Sequence, residues 1–348
     1  MHTLFLVIQE GEGSAERIAS GSVVARLAPY TRFRLVLLIT GFVPLLLVPI
    51  VLRTWPLPDH GLWSTSFIYV TGVLHVGMTS FFYLDPEMRD FRRQRRHVFV
   101  TYPLALGVGI TFALSVLPVS SQAAINVALA VWLGWHYTGQ QVGVVAMALK
   151  GEVATARLRV RERRFIRATS FVTVLGLVRT VDLSSTPLRH FDLLLLCRIG
   201  VVALTATLVW QLARAFVEPL DGGGSWRMRA ASLTWAVAFV APAAIFQNPI
   251  IGAATIATVH GFHYVFLVAY LSRSRRHWAW VGTLALGALT AGAYVALSEW
   301  APANGISSHA IPVALFTMVA AHRVVDARVW RLREAERLAY MRSSFQFL

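Results

Sequence analysis

Long apolar runs, set apart by short arginine-rich or Gly/Pro-rich breaks, recur along the chain. They fall at about 33–52, 62–84, 97–117, 122–149, 190–216, 228–247, 250–272, 277–298 and 306–330. Each approaches the roughly 20 residues that a helix needs to cross the hydrocarbon layer. A weaker tenth run, FIRATSFVTVLGLVRTVDL at 165–183, is interrupted by Arg167, Arg179 and Asp182. The pattern predicts an all-α, polytopic membrane helical bundle. Gly and Pro in VAPAAIFQNPIIG, 240–252, predict kinked or tightly turned helices there. DGGGS at 221–225 reads as a flexible loop that divides six helices from four.

Charge decides whether the tenth run crosses. With the N-terminus cytoplasmic, RDFRRQRR at 89–96 lies inside, the uncharged VSSQ at 118–121 outside, and the basic 150–164 segment inside. If 165–183 stayed on one side, RSRR at 273–276 would face outward. If it crosses, Arg214, Arg227, Arg229, RSRR and the RLREAER tail all face the cytoplasm, as the positive-inside rule requires. The expectation is ten spans in the inner (cytoplasmic) membrane, with both termini cytoplasmic. Residues 1–31 and 331–348 form the two tails and 32–330 the transmembrane domain. The opening MHTLFLVIQ lacks the basic stretch of a cleavable signal peptide.

Composition fits a membrane protein. Hydrophobic residues make up 56% and charged residues 14%, and the 11 Trp and 20 Phe suit interfacial belts and lipid-facing surfaces. A net charge of +15 alone would point to nucleic acid. The arginines, however, sit in short runs between apolar segments, where they orient helices and meet anionic lipid headgroups. No nucleic-acid partner is expected. Cys197 is the sole cysteine, which excludes an intrachain disulfide and a thiolate-held zinc or iron–sulfur centre.

Five histidines, His75, His136, His260, His263 and His322, stand inside the apolar runs. An ionisable side chain there is costly and marks a functional interior. All five lie on segments that descend toward the cytoplasm. Counting to Asp85, Lys150, Arg273 and Arg331 at 1.5 Å per residue sets their rings roughly 13–21 Å above the inner boundary. Four helices thus offer imidazoles at one level. His136 and Gln140 are four apart and share a helix face, as do His322 and Asp326. His260 and His263, three apart, can both point inward, and His75 shares a face with Thr79. Asp326 is either a ligand or the acceptor that fixes an imidazole tautomer. Tyr83, Tyr137, Tyr264 and Trp135 flank these positions and would line a flat apolar pocket. Asp85 reads as a helix-end or ion-pair residue, and Arg323, Asp326 and Arg328 as an interfacial charge network. His97 and His277 read as interfacial, and His190 and His309 as outer-face residues; His2 and His60 carry no pattern.

Imidazole suits zinc, copper and iron, and an added carboxylate favours iron. With open positions, such a set suits oxygen-activating non-haem iron, one ion or two, in a dry site reached by apolar substrates. The expected metal ligands are His75, His136, His260, His263 and His322, with Gln140, Asp326 and Tyr137 as catalytic groups. The function read from these residues is a membrane metallo-oxidoreductase that uses O2 and an electron source on a long hydrophobic molecule. A redox or biosynthetic protein partner is expected at the basic cytoplasmic face. Two readings compete. Haem b clamped by His75 with His263, or by His136 with His322, leaves Gln140 and the other histidines without a role. A proton-coupled transporter would use the His/Asp set as a relay, although no inverted repeat is visible.

Three phrases occur together: LHVGMTSFFYLDPE (74–87), WHYTGQQVG (135–143) and AHRVVDARVWRLRE (321–334). In this order the chain resembles the UnbU-type polytopic membrane proteins that accompany enediyne polyketide synthases. The resemblance implies oxidation or desaturation of a linear polyene on the way to an alkyne-containing enediyne, an antibiotic precursor. It carries over His75 and Asp85, His136 and Gln140, and His322 and Asp326. The chain departs from the pattern at Ala321 and Arg323, where an aromatic or a second histidine is expected beside His322. The chain is more loosely similar to the Brp/Blh-type membrane carotene dioxygenases, which implies polyene cleavage. Here HGFH spaces its pair by three residues where that family is expected to use four.

Overall fold

The computed structural model describes residues 29–54, 74–150, 159–217, 226–275, 279–303, 310–330 and 334–345. Among them every regular element is helical and there is no strand. The helices are α1 (Pro29–Thr54), α2 (Ser80–Leu84), α3 (Arg89–Gln94), α4 (Tyr102–Val116), α5 (Val119–Lys150), α6 (Val160–Val178) and α7 (Leu193–Val217). They continue with α8 (Trp226–Val240), α9 (Pro242–Ile245), α10 (Pro249–Arg275), α11 (Ala279–Ala303), α12 (Ala310–Val329) and α13 (Ala335–Arg342).

Among the described residues three helices are long and apolar enough to cross a membrane: His97–Val116, Leu193–Arg214 and Pro249–Arg275. Shorter apolar helices cover Leu35–Val51, Arg229–Ile245 and Ala279–Thr290. Leu46, Phe112, Val202 and Leu289 point outward and are exposed, a disposition that suits a lipid environment better than water. The most extensive helix–helix contacts among the described residues join α4 with α12, α5 with α6, and α1 with α10. Small residues allow this approach. A Cβ on Gly107 would stand 2.6 Å from the Thr317 backbone nitrogen, and one on Gly134 3.0 Å from that of Val174.

The apolar run expected at 62–84 is not one continuous helix where it is described. Helical residues 74–77 end in a turn at Met78–Thr79, where the Thr79 amide donates to Val76 O at 3.0 Å, and α2 follows. The break at 240–252 is present: α8 stops at Val240, α9 is a single turn, and Phe246–Asn248 are non-helical before Pro249 opens α10. Most of the weak tenth run forms the body of α6, and charged groups on and just past this helix have partners. The Glu162 carboxylate takes the Arg229 guanidinium with both oxygens at 2.7 Å, and both residues are buried. Arg179, just past α6, donates to Ala243 O at 2.6 Å, Phe246 O at 3.2 Å and Gln247 O at 2.7 Å. It thereby satisfies the carbonyls that the helix break leaves open.

The C-terminal segment is docked. Tyr340, Met341 and Phe345 are buried, and Phe345 stacks on Tyr270 with centroids 5.1 Å apart. Asp85 accepts from the Tyr340 hydroxyl at 2.5 Å and from the Glu87 amide at 3.0 Å, which is the helix-end role expected of it. His97 and His190 are exposed. Residues 1–28, the DGGGS loop, His2, His60, His277 and His309 lie outside the described residues.

Candidate metal centre

Two apolar cores form on either side of a polar layer. Tyr137, Trp235 and Ile256 belong to one, and Phe82, Tyr264 and Val325 to the other. Between them stand four imidazoles from four separate segments: His75 on helical residues 74–77, His136 on α5, His260 on α10 and His322 on α12. Their ring centroids form a closed quadrilateral. His75–His260 is 5.1 Å, His260–His136 5.0 Å, His136–His322 5.1 Å and His322–His75 4.7 Å, with the His260–His322 diagonal at 6.1 Å.

Pair by pair these spacings are those of imidazoles on a shared cation, and the ligand atoms fall into two overlapping sets of three that meet at His322. With metal–nitrogen bonds of about 2.0–2.1 Å, tetrahedral imidazoles place their centroids roughly 5 Å apart and their ligating nitrogens roughly 3.3 Å apart. The His136 and His322 Nε2 atoms are 3.2 Å apart. Potential ligand atoms of His75, His260 and His322 lie within 4.8 Å of one another, as do those of His136, His322 and Asp326. Neither ring nitrogen of His260 has a hydrogen-bond partner in the structure, although the residue is fully buried. A buried imidazole with both nitrogens unmatched is costly, and a cation would satisfy the one that carries the lone pair.

Neighbouring groups hold the rings. Thr79 Oγ1 lies 2.9 Å from His322 Nδ1 and 2.9 Å from the Tyr264 hydroxyl. Engagement of Nδ1 by Thr79 turns Nε2 of His322 toward His136. The Thr79 contact is available because the helix breaks at Met78–Thr79, a feature that the apolar pattern of 62–84 does not reveal. Asp326 sits one turn beyond His322, with Oδ2 3.9 Å from His136 Nε2 and Oδ1 unpartnered. Tyr137 lies against His260 with centroids 4.1 Å apart and planes inclined by 34°. Gln140 donates to His260 O at 3.2 Å, and its Oε1 has no partner.

The sequence-derived set thus divides. His75, His136, His260 and His322 come together, with Asp326, Gln140 and Tyr137 around them. His263 does not join them: its Nε2 is 3.2 Å from Leu37 O, and its ring lies 5.3 Å from that of Trp235. Residues three apart on a helix point about 60° apart, so α10 turns His260 toward α5 and α12 but His263 toward α1 and α8. The charge network expected around Arg323 is also different. Its guanidinium lies over the Trp132 ring at 4.5 Å, a cation–π contact.

A cavity of about 260 Å³ adjoins the centre. Its polar end is His136, Gln140 and Asp326; Gly139, Gly143 and Met147 of α5, Leu267 of α10 and Trp330 continue its walls. Tyr264 and Trp135 line it too, as expected, and Tyr83 instead donates to Phe99 O at 2.7 Å. No protein-family profile matches the chain, and comparison with curated proteins and with solved structures finds no similar protein.

Proposed function

We propose that the protein is a multi-pass inner-membrane metallo-oxidoreductase. In this reading it spans ten times, holds non-haem iron with His75, His136, His260 and His322, and desaturates an extended apolar polyene. The observation that carries it is the convergence of four imidazoles from four helical segments, in two ligand sets that overlap at His322, one of them with neither nitrogen matched in the structure. Iron bound there would supply the one-electron chemistry that imidazole, carboxylate and water cannot. Asp326 is placed to accept a proton beside His136. Gln140 Oε1 is free to orient a polar group at the mouth of the cavity, and the apolar walls beyond exclude water. The reaction balances with dioxygen. Desaturation takes two protons and two electrons from adjacent carbons; two more of each come from a reductant, and dioxygen leaves as two waters. The UnbU-type resemblance agrees with this substrate class.

A bare ion suits the geometry better than haem. A haem held on both faces needs its axial nitrogens about 4 Å apart, twice a bond of about 2 Å, with a macrocycle between them. The His136 and His322 nitrogens are closer than that, and His263 is engaged with Leu37. Metal analysis of purified protein tests the proposal. Stoichiometric iron without a Soret band is expected, with iron lost in His136→Ala and His260→Leu and kept in His263→Gln. Full iron in both of the first two variants sinks the site. A Soret band moves the reading to haem. Absence of metal together with proton flux in liposomes replaces it with a His/Asp relay. Cleaved rather than desaturated product assigns the centre to polyene cleavage.

A further inference from the structure

The cavity beside His136 is bordered by exposed side chains at one end and by a buried one at the other. Its α5 wall repeats Gly139 and Gly143 one turn apart, and a Cβ at either would meet no atom within 4 Å. These glycines therefore do not serve close helix packing, unlike Gly107 and Gly134. What they leave open is the bore. Gly139 of α5 and Ala327 of α12 both line the cavity and are exposed, and Trp135, which also lines it, is 63% exposed. Deeper in, Met147 lines the same space yet is only 2% exposed. The space is polar at one end only, where His136, Gln140 and Asp326 stand. Its volume of about 260 Å³ falls below the roughly 300–1,000 Å³ of pockets that take compact drug-sized ligands.

We propose that Gly139 and Gly143 form a lateral portal through which one slender, unbranched apolar chain passes from the bilayer between α5 and α12. The chain lies along Gly143 and Met147 and presents one segment to His136 and Asp326. Gly139 and Gly143 are the residues that set its width: a branched or ring-bearing chain meets their helix backbone. The identity of the reacting end rests on the metal-centre reading; the portal itself does not.

A photoactivatable diazirine on a hexadecane chain, incorporated in lipid nanodiscs with the full-length protein, tests this. Adducts are then mapped by peptide mass spectrometry. The expected result is labelling of Met147, which bulk lipid does not reach, alongside labelling of outward-facing Leu195. In Gly139→Leu and Gly143→Leu the Met147 adduct is lost, while Leu195 labelling and iron content stay unchanged; Gly139→Ala keeps all three. Replacing helical glycine by leucine favours the helix, so folding is expected to hold. In the wild type, unlabelled hexadecane depletes the Met147 adduct more steeply than the Leu195 adduct. The portal is overturned by a wild type that labels Leu195 but not Met147, by Met147 adducts that persist in both leucine variants, or by equal depletion of both adducts. Plug-sensitive labelling in a protein without metal keeps the portal and removes the metal reading. Iron with no Met147 labelling does the reverse.

Discussion

Thr79→Val separates the orientation of His322 from the mere presence of its ring. Valine matches threonine in shape, so packing is preserved and only the hydroxyl is lost. That hydroxyl lies 2.9 Å from both His322 Nδ1 and the Tyr264 hydroxyl, and Thr79, Tyr264 and His322 are 2%, 0% and 2% exposed. Losing a group that orients a metal-bound histidine lowers metal affinity about 10–100-fold, or about 1.4–2.7 kcal/mol. Two buried polar atoms also lose a partner, at roughly 1–3 kcal/mol each. Since Tyr264 and His322 can partly re-pair, a stability loss of about 2–4 kcal/mol is expected. Competition with a chromophoric chelator reads the affinity, and thermal unfolding in detergent reads the stability. Thr79→Ser restores both, because serine keeps the oxygen. If Thr79→Val loses stability but binds metal as the wild type does, the hydroxyl is structural and does not aim His322.

Other perturbations reach the frame around the site. Glu162→Gln leaves the buried Arg229 cation without its carboxylate and should cost about 3–5 kcal/mol in thermal unfolding; the Glu162→Leu/Arg229→Met double variant should recover most of it. Arg179→Met strips the donors from the Ala243, Phe246 and Gln247 carbonyls, and limited proteolysis should then cut at 246–248 faster. Tyr340 has its hydroxyl raised above its ordinary value near 10, chiefly by burial and then by Asp85. The unfolded chain therefore releases this proton first, so stability holds below pH of about 10 and falls as pH rises above it; Tyr340→Phe should flatten that alkaline loss. Chelation should lower the melting temperature of the wild type, by the mass-action rule that a ligand of the native state stabilises it, and should leave His260→Leu unmoved.

The histidine layer was legible because helical depth is linear in sequence: with a fixed rise per residue, the distance from each ring to its charged boundary can be counted. The count sets His75, His136, His260, His263 and His322 at one level, and the rings of all but His263 meet. It says nothing of azimuth, which depends on which neighbours a helix meets. His263 was therefore indistinguishable from His260 until α1 and Trp235 were in place. Arg179 shows the same limit from the other side. In the sequence it interrupts an apolar run, whereas in the fold it closes carbonyls exposed by a break more than sixty residues away. In the sequence Thr79 is only a face-mate of His75. The turn that brings its oxygen to His322 depends on a local loss of helix at Met78–Thr79.

The layer also carries a thermodynamic argument. Packing alone gives a membrane bundle no reason to gather four imidazoles. Apolar side chains of similar size would fill the space without asking for partners, and replacing buried polar groups by such residues is often neutral or stabilising. Yet His260 has neither nitrogen matched, Asp326 keeps one oxygen unpartnered, and so does Gln140, all within the same layer. Unmatched groups scattered through a structure are independent small costs. His260 and Asp326 belong to the two ligand sets that overlap at His322, where a bound cation would satisfy several lone pairs at once. The same layer opens on a bore whose glycines contribute nothing to packing. Stability is thus forgone twice in adjoining places, once in polar atoms and once in unfilled volume. On the proposed reading the two costs share one explanation, a centre placed to meet what the bore admits.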